Sequence, residues 1–343
     1  MPKVTVLMPV YNGASYLRET MQSILSQTYS DYEFLIIDDG STDNSLEIIR
    51  SFSDPRIRVL KNPQRLKLSG ALNRGMDEAR GKYIARMDAD DISLPHRLQR
   101  QVDYLDQHPE TGVCGSGIKI FGKGRKRVDL YPATSEEIRA YALFDCPFCH
   151  PSVILRKDLF EYHNLRYDGL FYPTEDYELW SRAVDLFPSA NLSEVLVHYR
   201  IHDSSMTCSD WDAMDEKAGW IIKRLLGKIG VHCSEEELWL HRNAGRGRSF
   251  RCKYIGELDQ AEKWLGALLV KNRQQQHYEE RALSKIISLV WYRLCFNAAP
   301  LGFQVLVRYR NSWLVSNDNM QKKRAAMLFL SIIKNRIIAP ETD

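Results

Sequence analysis

Tyr83-Ile84-Ala85-Arg86-Met87 is a predicted strand that ends in the acidic stretch Asp88-Ala89-Asp90-Asp91. Three carboxylates within four residues repel each other, so stability alone does not favour the arrangement. A divalent cation would neutralise them, and Mg²⁺ or Mn²⁺ prefers hard oxygen ligands of this kind. The alternative is a helix N-cap, in which Asp90 or Asp91 caps a helix entered through residues 93–95. The local sequence leaves both interpretations open.

The same succession of a strand and a polar segment recurs along the first half of the chain. Apolar runs alternate there with segments of helical spacing, which predicts an α/β domain with a mainly parallel sheet sandwiched by helices. The predicted strands are residues 4–10, 33–37, 57–60, 83–87, 113–121, 152–155 and 195–199, and the predicted helices are residues 14–27, 45–52, 69–79 and 174–186. Ligands bind such sheets beyond the carboxyl ends of the strands, where Tyr11, Asp39 and Asp88 lie.

The second part of the chain differs from the first in its predicted secondary structure and in its charge. The 343 residues are enough for about two domains. Residues 1–209 hold 25 Lys and Arg against 29 Asp and Glu, whereas residues 210–343 hold 22 against 15 and are dominated by helical patterns. We therefore predict an α/β domain over residues 1–209 and a smaller, mainly α-helical domain over residues 210–343.

Cysteine usage and the N-terminus both predict a cytoplasmic protein. Seven scattered Cys residues are a poor disulfide framework and fit a reducing compartment. The start of the chain has no basic, apolar and small-residue succession typical of a signal peptide. The most apolar segment, residues 286–307, contains Arg293, Asn297 and Pro300, which favours two packed helices over a membrane span.

The end of the chain combines basic and bulky apolar residues over Met320–Ile338. Such a helix can lie on the inner face of an anionic membrane, which would make the protein peripheral there. The alternative is a terminal helix that docks on the helical domain with its basic residues in water. Acidic residues are intermixed throughout this half, which argues against nucleic acid as a partner.

Other polar residues have both a structural and a functional interpretation. The pair Asp38-Asp39 is typical of a turn but can also accept hydrogen bonds from a nucleobase or from loop amides. Thr174 can cap a helix whose first turn holds Glu175-Asp176, and either carboxylate can act as a general base. His150 and His202 border predicted strands, where a His can face solvent or bind a metal.

Taken together, these motifs resemble the family 2 glycosyltransferases, inverting enzymes of the GT-A fold. The resemblance covers about residues 3–207, with all motifs in the expected order. It is carried by Val6-Leu7-Met8-Pro9-Val10-Tyr11-Asn12, Asp38-Asp39-Gly40-Ser41-Thr42-Asp43, Ala71-Leu72-Asn73-Arg74-Gly75, residues 79–91, His150-Pro151-Ser152, residues 174–180 and Tyr199-Arg200-Ile201-His202. One departure is the segment 62–70, which has no Gly before Leu66 where the family has one.

The resemblance implies a UDP-sugar donor and assigns its binding residues. Pro9 and Tyr11 would pack along the base and ribose, and Asp39 would accept a hydrogen bond from the uracil ring N–H. Asp88 would contact the ribose, and Asp90 with His202 would hold Mn²⁺ or Mg²⁺ on the diphosphate. The nucleotide-sugar-binding set implied by the resemblance is Pro9, Tyr11, Asp39, Asn73 and Asp88.

On the acceptor side, the resemblance selects Asp176 as the catalytic base. At their reference pKa values Glu175 and Asp176 are both ionised at neutral pH, so their charge does not distinguish them. The remaining residues placed on the acceptor side are His150, Glu175 and Trp180.

The predicted function is an inverting, metal-dependent glycosyltransferase that uses a UDP-sugar and a glycan or lipid-linked glycan acceptor in cell-surface polysaccharide synthesis. The alternative is a catalytically silent nucleotide-sugar- or glycan-binding module on the same fold. The set Asp88, Asp90, Asp176 and His202 argues against a silent module. A nucleotidyltransferase would need a Gly-rich basic loop after the first strand, which Tyr11-Asn12-Gly13-Ala14 is not.

Overall fold

A computed structural model describes residues 1–123, 126–203, 211–246, 252–315 and 319–338 of the chain. Two units are separately packed: Met1–Ile138 with Cys146–Lys217, and Arg139–Asp145 with Ala218–Asp343. The predicted domain boundary between residues 209 and 210 lies outside the described residues. The division into domains at that point therefore stays a prediction.

The first unit contains one sheet, which has nine strands within the described residues. They are β1 (Val4–Val10), β2 (Tyr32–Asp38), β3 (Ile57–Lys61), β4 (Tyr83–Arg86), β5 (Ile92–Ser93), β6 (Val113–Phe121), β7 (Arg127–Asp129), β8 (Ile154–Arg156) and β9 (Ser189–Arg200). The strand order is β3-β2-β1-β4-β8-β6-β9-β5, and β7 pairs with β6 off this path. Strands β1 to β4 are parallel, whereas β8 runs antiparallel to both β4 and β6.

Helices cover the sheet and connect its strands. They are α1 (Ala14–Leu25), α2 (Ser45–Arg50), α3 (Lys67–Glu78), α4 (Arg97–Gln107), α5 (Ser135–Tyr141), α6 (Lys157–Tyr162) and α7 (Glu175–Ala183). Short 3₁₀ turns lie at His150–Ser152 and Gly169–Phe171. The predicted α/β architecture is confirmed, with the refinement that its second half is a mixed rather than a parallel sheet.

Alternation along β1 explains why helices pack on both faces of the sheet. Val4, Val6, Met8 and Val10 lie in one core cluster, which also contains apolar residues of α1 and α4. The side chain of Leu7 points to the opposite face. Because Gly75 of α3 lies directly against Leu7, this helix approaches the strand closely.

Parallel register brings the polar ends of three strands together. Val10 of β1 pairs with Asp38 of β2, and the backbone N–H of Met87 after β4 donates to the carbonyl of Leu7 at 3.0 Å. The residues that follow β1, β2 and β4 therefore share one edge of the sheet, as the sequence predicts.

The second unit consists mainly of helices. They are α8 (Trp211–Lys228, of which Ala218 onward belongs to this unit), α9 (Glu235–Arg246), α10 (Ile255–Gln275), α11 (Glu280–Asn297), α12 (Phe303–Asn311) and α13 (Asn319–Ile338). The predicted helical character of this region is confirmed, and residues 286–307 fall in two helices joined by a 3₁₀ turn at Ala299–Leu301. Among the described residues, none of the helices has both the length and the apolarity needed to cross a bilayer.

A buried histidine holds the segment Arg139–Asp145 in the helical unit. His241 stacks on Phe144 with a ring-centroid distance of 4.8 Å, and one ring nitrogen contacts the carbonyl of Leu143 at 2.9 Å. The indole N–H of Trp264 donates to the other ring nitrogen at 3.1 Å. Burial lowers the pKa of His241 to about 4, so the imidazole is neutral and satisfies both contacts without a buried charge.

We predict that Gly75→Ala destabilises the protein. An added Cβ at this position would lie 2.2 Å from Leu7 Cδ1, so the core must shift, at a cost of about 1–3 kcal/mol in the free energy of unfolding. Urea denaturation measures this change. Gly227→Ala in α8 is the matched control because nothing lies within 4 Å of the added methyl there. Equal stability of the two variants would contradict the close packing of α3 on β1.

Candidate active site

Three carboxylates converge after strand β4. Asp88, Asp90 and Asp91 each offer one oxygen, and these oxygens lie within 4.8 Å of one another. Burial raises the pKa of Asp88, and burial together with the charges of Asp88 and Asp90 raises the pKa of Asp91 well above its usual value. Asp91 Oδ2 is buried and has no hydrogen-bond partner among the described residues. The cluster therefore carries negative charge that the described side chains only partly compensate.

A buried arginine lies beside this cluster. Arg86, the last residue of β4, is 2% exposed and forms an ion pair with Asp88. Its charge also offsets part of the rise that burial causes in the pKa values of Glu175 and Asp176. Arg86 is thus a cation shared by the two groups of carboxylates.

His202 reaches the acidic cluster from a distant part of the sequence. Strand β9 pairs antiparallel with β5, which directly follows the acidic stretch, so that Ile92 lies opposite His198. His202 Nε2 consequently lies 2.8 Å from Asp90 Oδ2, and the His202 ring packs on Tyr16 with a centroid distance of 4.7 Å. The predicted proximity of Asp90 and His202 is present in the structure.

The helix-cap interpretation of the acidic stretch is wrong. Helix α4 begins at Arg97, and its N-cap residue is His96. Asp91 Oδ1 instead accepts a hydrogen bond from the backbone N–H of Arg200 at 2.7 Å, and the Arg200 side chain donates to the carbonyl of Asp90 at 2.7 Å. These contacts fix the acidic stretch to the end of β9.

Glu175 and Asp176 begin helix α7 in different surroundings. Glu175 is 2% exposed, and burial and the neighbouring Asp176 raise its pKa to about 7. Burial also raises the pKa of Asp176, which remains partly accessible and receives a hydrogen bond from the Cys146 thiol at 3.7 Å. The assumption that both carboxylates keep their reference pKa values is therefore wrong, because burial disfavours the ionised form of each group.

Thr174 occupies the N-cap position of α7, as predicted, but its side chain does not cap the helix. The hydroxyl of Thr174 donates instead to the carbonyl of Phe171 at 2.9 Å. The residue thus closes the turn that precedes the helix and fixes where α7 begins.

His150 and Trp180 lie in a buried aromatic cluster. A ring nitrogen of His150 lies 2.9 Å from the Tyr167 hydroxyl, and burial lowers the pKa of His150 well below its usual value. Trp180 is fully buried, and the rings of His150, Tyr167 and Phe148 pack edge-on to it. In this structure these two of the three predicted acceptor-side residues are thus enclosed by neighbouring side chains.

The predicted base-binding residues lie at the ends of β1 and β2. Asp39 Oδ1 accepts hydrogen bonds from Asn62 Nδ2 at 2.6 Å and from the backbone N–H of Leu66 at 2.7 Å. Tyr11 is 40% exposed, and the guanidinium of Arg65 lies 3.7 Å from its ring centroid. The loop that departs from the family pattern is therefore tied to both residues.

Pro9 and Asn73 occupy more internal positions. Pro9 is a buried residue of β1, opposite Ile37 of β2. The Asn73 amide donates to the carbonyl of Tyr167 at 2.8 Å and accepts from the backbone N–H of Tyr167 at 2.9 Å. In the structure Asn73 thus positions the segment that carries Tyr167.

Sequence reasoning missed two contributors to the site, although it included Asp91 in the acidic stretch. Arg86 forms an ion pair with Asp88 of the acidic centre, and Tyr167 contacts His150. A charged residue inside an otherwise apolar strand was the available signal for Arg86, since Arg is rarely buried without a partner. Tyr167 lies in an irregular segment without a motif, and the sequence offers no comparable signal for it.

The fold and the site define a class of enzyme. A parallel α/β half with acidic residues at its strand ends is joined to a mixed half that carries Glu175, Asp176 and His202. This is the organisation of a GT-A glycosyltransferase, followed here by a helical region.

Comparisons with known proteins identify the family. The model of the family described as "Glycosyl transferase family 2" matches residues 5–163. An uncharacterized glycosyltransferase of Haemophilus influenzae is 33% identical over 247 residues, which cover 67% of this chain and 76% of that protein. The O-antigen biosynthesis glycosyltransferase WbnJ of Escherichia coli is 34% identical over 234 residues, covering 66% and 89% of the two chains. The chain belongs to glycosyltransferase family 2.

A solved structure shares the fold over nearly the whole chain. Residues 1–349 of S. aureus TarS, crystallised in complex with UDP-GlcNAc, superpose with a TM-score of 0.58 at 17% sequence identity. The match covers 98% of this chain and 92% of that one. It confirms the predicted GT-A fold with a helical C-terminal region.

We predict that Glu175 makes the protein less stable as the pH rises. A carboxyl group whose pKa is raised to about 7 on folding binds more protons folded than unfolded between its two pKa values. Wild type should lose about 2 kcal/mol more than Glu175→Gln in the free energy of unfolding between about pH 5 and 8.

Urea denaturation in a metal chelator at both pH values measures this difference. Glu47→Gln, at an exposed position of α2, is the matched control and should follow wild type. Parallel pH curves for wild type and Glu175→Gln would show that Glu175 is ionised normally.

Proposed function

We propose that this glycosyltransferase transfers a hexosyl or N-acetylhexosaminyl group from a UDP-sugar to a hydroxyl group, with inversion at the anomeric carbon and with a divalent metal. The observation that carries the proposal is that the charge of Arg86 acts on two groups of carboxylates, the acidic centre and the pair Glu175 and Asp176. Asp88 forms an ion pair with Arg86, and the same charge acts on Asp176. The carboxylates of the acidic centre suit the binding of a cation with a diphosphate, and Asp176 suits the role of general base.

Asp39 and Tyr11 support a nucleotide donor. Hydrogen bonds from Asn62 and Leu66 hold Asp39 Oδ1 just after β2, and in this proposal the Asp39 carboxylate also accepts a hydrogen bond from a base ring N–H. The exposed face of Tyr11 offers a surface for stacking. The TarS complexes with UDP and UDP-GlcNAc support the choice of a uridine nucleotide.

The acidic centre fits a divalent metal. Hard carboxylate oxygens, close spacing and the unpartnered Asp91 Oδ2 are a suitable ligand set for Mn²⁺ or Mg²⁺. Asp90 and His202 would hold the ion. When bound, such an ion supplies positive charge to the diphosphate leaving group.

Asp176 is the proposed catalytic base. Its carboxylate removes the proton of the acceptor hydroxyl, whose oxygen bonds to the anomeric carbon as the bond to the diphosphate oxygen breaks. Attack opposite the leaving group inverts that carbon. Glu175 lies deeper and, with a pKa of about 7, is partly protonated at neutral pH, so it is less suited to accept this proton. The Cys146 thiol and Arg86 both stabilise the ionised form of Asp176.

The acceptor is proposed to be a growing glycan or a lipid-linked glycan for a cell-surface polysaccharide. The names of two relatives support this assignment: WbnJ in O-antigen biosynthesis, and the amylovoran biosynthesis glycosyltransferase AmsE of Erwinia amylovora, which is 30% identical over 222 residues. Such synthesis would place the enzyme in the cytoplasm or at the inner membrane face.

We predict that Asp90→Ala abolishes the metal-dependent part of nucleotide binding. The variant loses a carboxylate of the acidic centre and the partner of His202. Thermal shifts with UDP, with and without Mn²⁺, measure the effect, since a ligand of the native state raises its apparent stability. Asp103→Ala, an exposed carboxylate of α4, should behave as wild type. Unchanged UDP binding and turnover in Asp90→Ala would overturn the metal assignment.

We predict that Asp176→Asn lowers turnover by about 10²-fold or more while donor binding stays near that of wild type. The substitution keeps the shape and removes the base. Steady-state kinetics with a UDP-sugar, and thermal shifts with UDP alone, separate the two quantities. Glu175→Gln is the neighbouring control and should affect acceptor KM more than turnover.

Near-wild-type turnover in Asp176→Asn would show that another group is the base. Absence of any UDP-sugar hydrolysis or transfer by the wild-type enzyme would instead favour the silent binding module.

A further inference from the structure

Helix α13 has one apolar face that is buried within the helical unit. Leu328 and Ile332, one turn apart, are both fully buried. The guanidinium of Arg324, one turn before Leu328, lies 5.5 Å from the ring centroid of Tyr292 in α11. The helix is therefore docked by this face, which agrees with the docked-helix interpretation of the sequence.

The opposite face of the same helix is also apolar. Ala326, Leu330 and Ile333 follow the spacing i, i+4, i+7 and form a second stripe, which points about 140–160° away from the direction of Leu328. Leu330 is 64% exposed, Ala326 is exposed and Ile333 is half-buried. We call this stripe the outer face. A docked helix gains nothing from a second apolar stripe in water, so the stripe requires another explanation.

Lysines flank the outer face on both sides. Helical geometry places Lys322 along one edge and Lys323 and Lys334 along the other, and all three side chains are exposed. A central apolar stripe with lysines at its borders is the pattern of a helix that lies in the plane of a membrane interface, where the lysine ammonium groups remain in water.

The neighbouring helix extends the apolar surface. Phe329 of α13 is 41% exposed, and its ring lies 5.9 Å from that of Phe303 in α12, which is 38% exposed. Val307, one turn after Phe303, is 56% exposed. The surface thus spans two packed helices and presents several large side chains together.

Charge determines which partner fits this surface. Residues 299–338 contain seven Lys and Arg residues and one acidic residue, Asp318. A second copy of the chain docked through the same face would bring like charges together, which is unfavourable in a symmetric interface. An anionic lipid surface attracts the same charges, and its acyl region accepts the apolar stripe.

We propose that the outer face of α13, with the adjoining surface of α12, docks the protein in the plane of an anionic lipid bilayer. The helix remains folded against the helical unit and lies on the membrane without crossing it. This inference goes beyond the proposed function and does not depend on it, since no residue of the outer face belongs to the acidic centre or to α7.

Vesicle flotation with the full-length protein tests the proposal. The wild type should float with vesicles of phosphatidylcholine mixed with phosphatidylglycerol, float much less with phosphatidylcholine alone, and be released by high salt. Leu330→Glu should weaken binding to the mixed vesicles by about tenfold or more, because it places a charge within the apolar stripe. Val270→Glu in α10 is the matched control, since Val270 is an exposed apolar residue, 47% accessible, outside α12 and α13.

Thermal melting and turnover of a UDP-sugar in the absence of vesicles show whether each variant is folded and active. Because these measurements use no vesicles, they report on the proposed function separately from the membrane proposal. Equal flotation of Leu330→Glu and Val270→Glu, or equal binding to neutral and anionic vesicles, would overturn the proposal. The proposal would also be overturned if light scattering showed a wild-type dimer that Leu330→Glu disrupts, while the wild type did not bind vesicles. The outer face would then be a protein interface.

Discussion

The repulsion among three closely spaced carboxylates is the constraint on which the rest of this structure depends. Asp88, Asp90 and Asp91 offer oxygens within 4.8 Å of one another. Two like charges about 4 Å apart repel by about 4 kcal/mol at the effective dielectric of a protein surface. Arg86 compensates part of this cost through its ion pair with Asp88, while burial and the neighbouring carboxylates still raise the pKa values of Asp88 and Asp91. A fold that keeps such a cluster must stabilise it elsewhere, and the proposed divalent cation would supply the missing positive charge.

The mixed half of the sheet provides the scaffold that holds the cluster. The buried guanidinium of Arg97 in α4 donates to the carbonyls of Arg86 and Val153, which ties the end of β4 to the segment before β8. On the other side, β9 pairs with β5 and places Arg200 and His202 against the acidic stretch. The cluster is therefore held by hydrogen bonds from several parts of the chain, made both to neighbouring backbone carbonyls and to the Asp90 and Asp91 carboxylates.

The features that could be predicted from the sequence are those marked by a regular spacing of apolar residues. Alternating strands and helices gave the α/β half, and parallel register made the convergence of Tyr11, Asp39 and Asp88 predictable. Strand β5 has two residues and no periodic signal, and it exists because β9 pairs with it. The approach of His202 to Asp90 was consequently reached through family resemblance and not through local pattern. Tertiary packing likewise decided that Trp180 is enclosed by aromatic rings and that Asn73 fixes Tyr167.

The same distinction explains the adjacent carboxylates of α7. Sequence reasoning treats Glu175 and Asp176 as equivalent acids because burial is not visible in a residue name. Successive residues of a helix point about 100° apart, so a helix whose first turn meets the core must bury one of them more than the other. Glu175 is the one enclosed, and its pKa moves to about 7, whereas Asp176 keeps access and receives the Cys146 thiol. The environment thereby leaves Glu175 partly protonated at neutral pH, whereas Asp176 remains partly accessible. Two residues of almost identical chemistry thus differ in burial because successive side chains of a helix point in different directions.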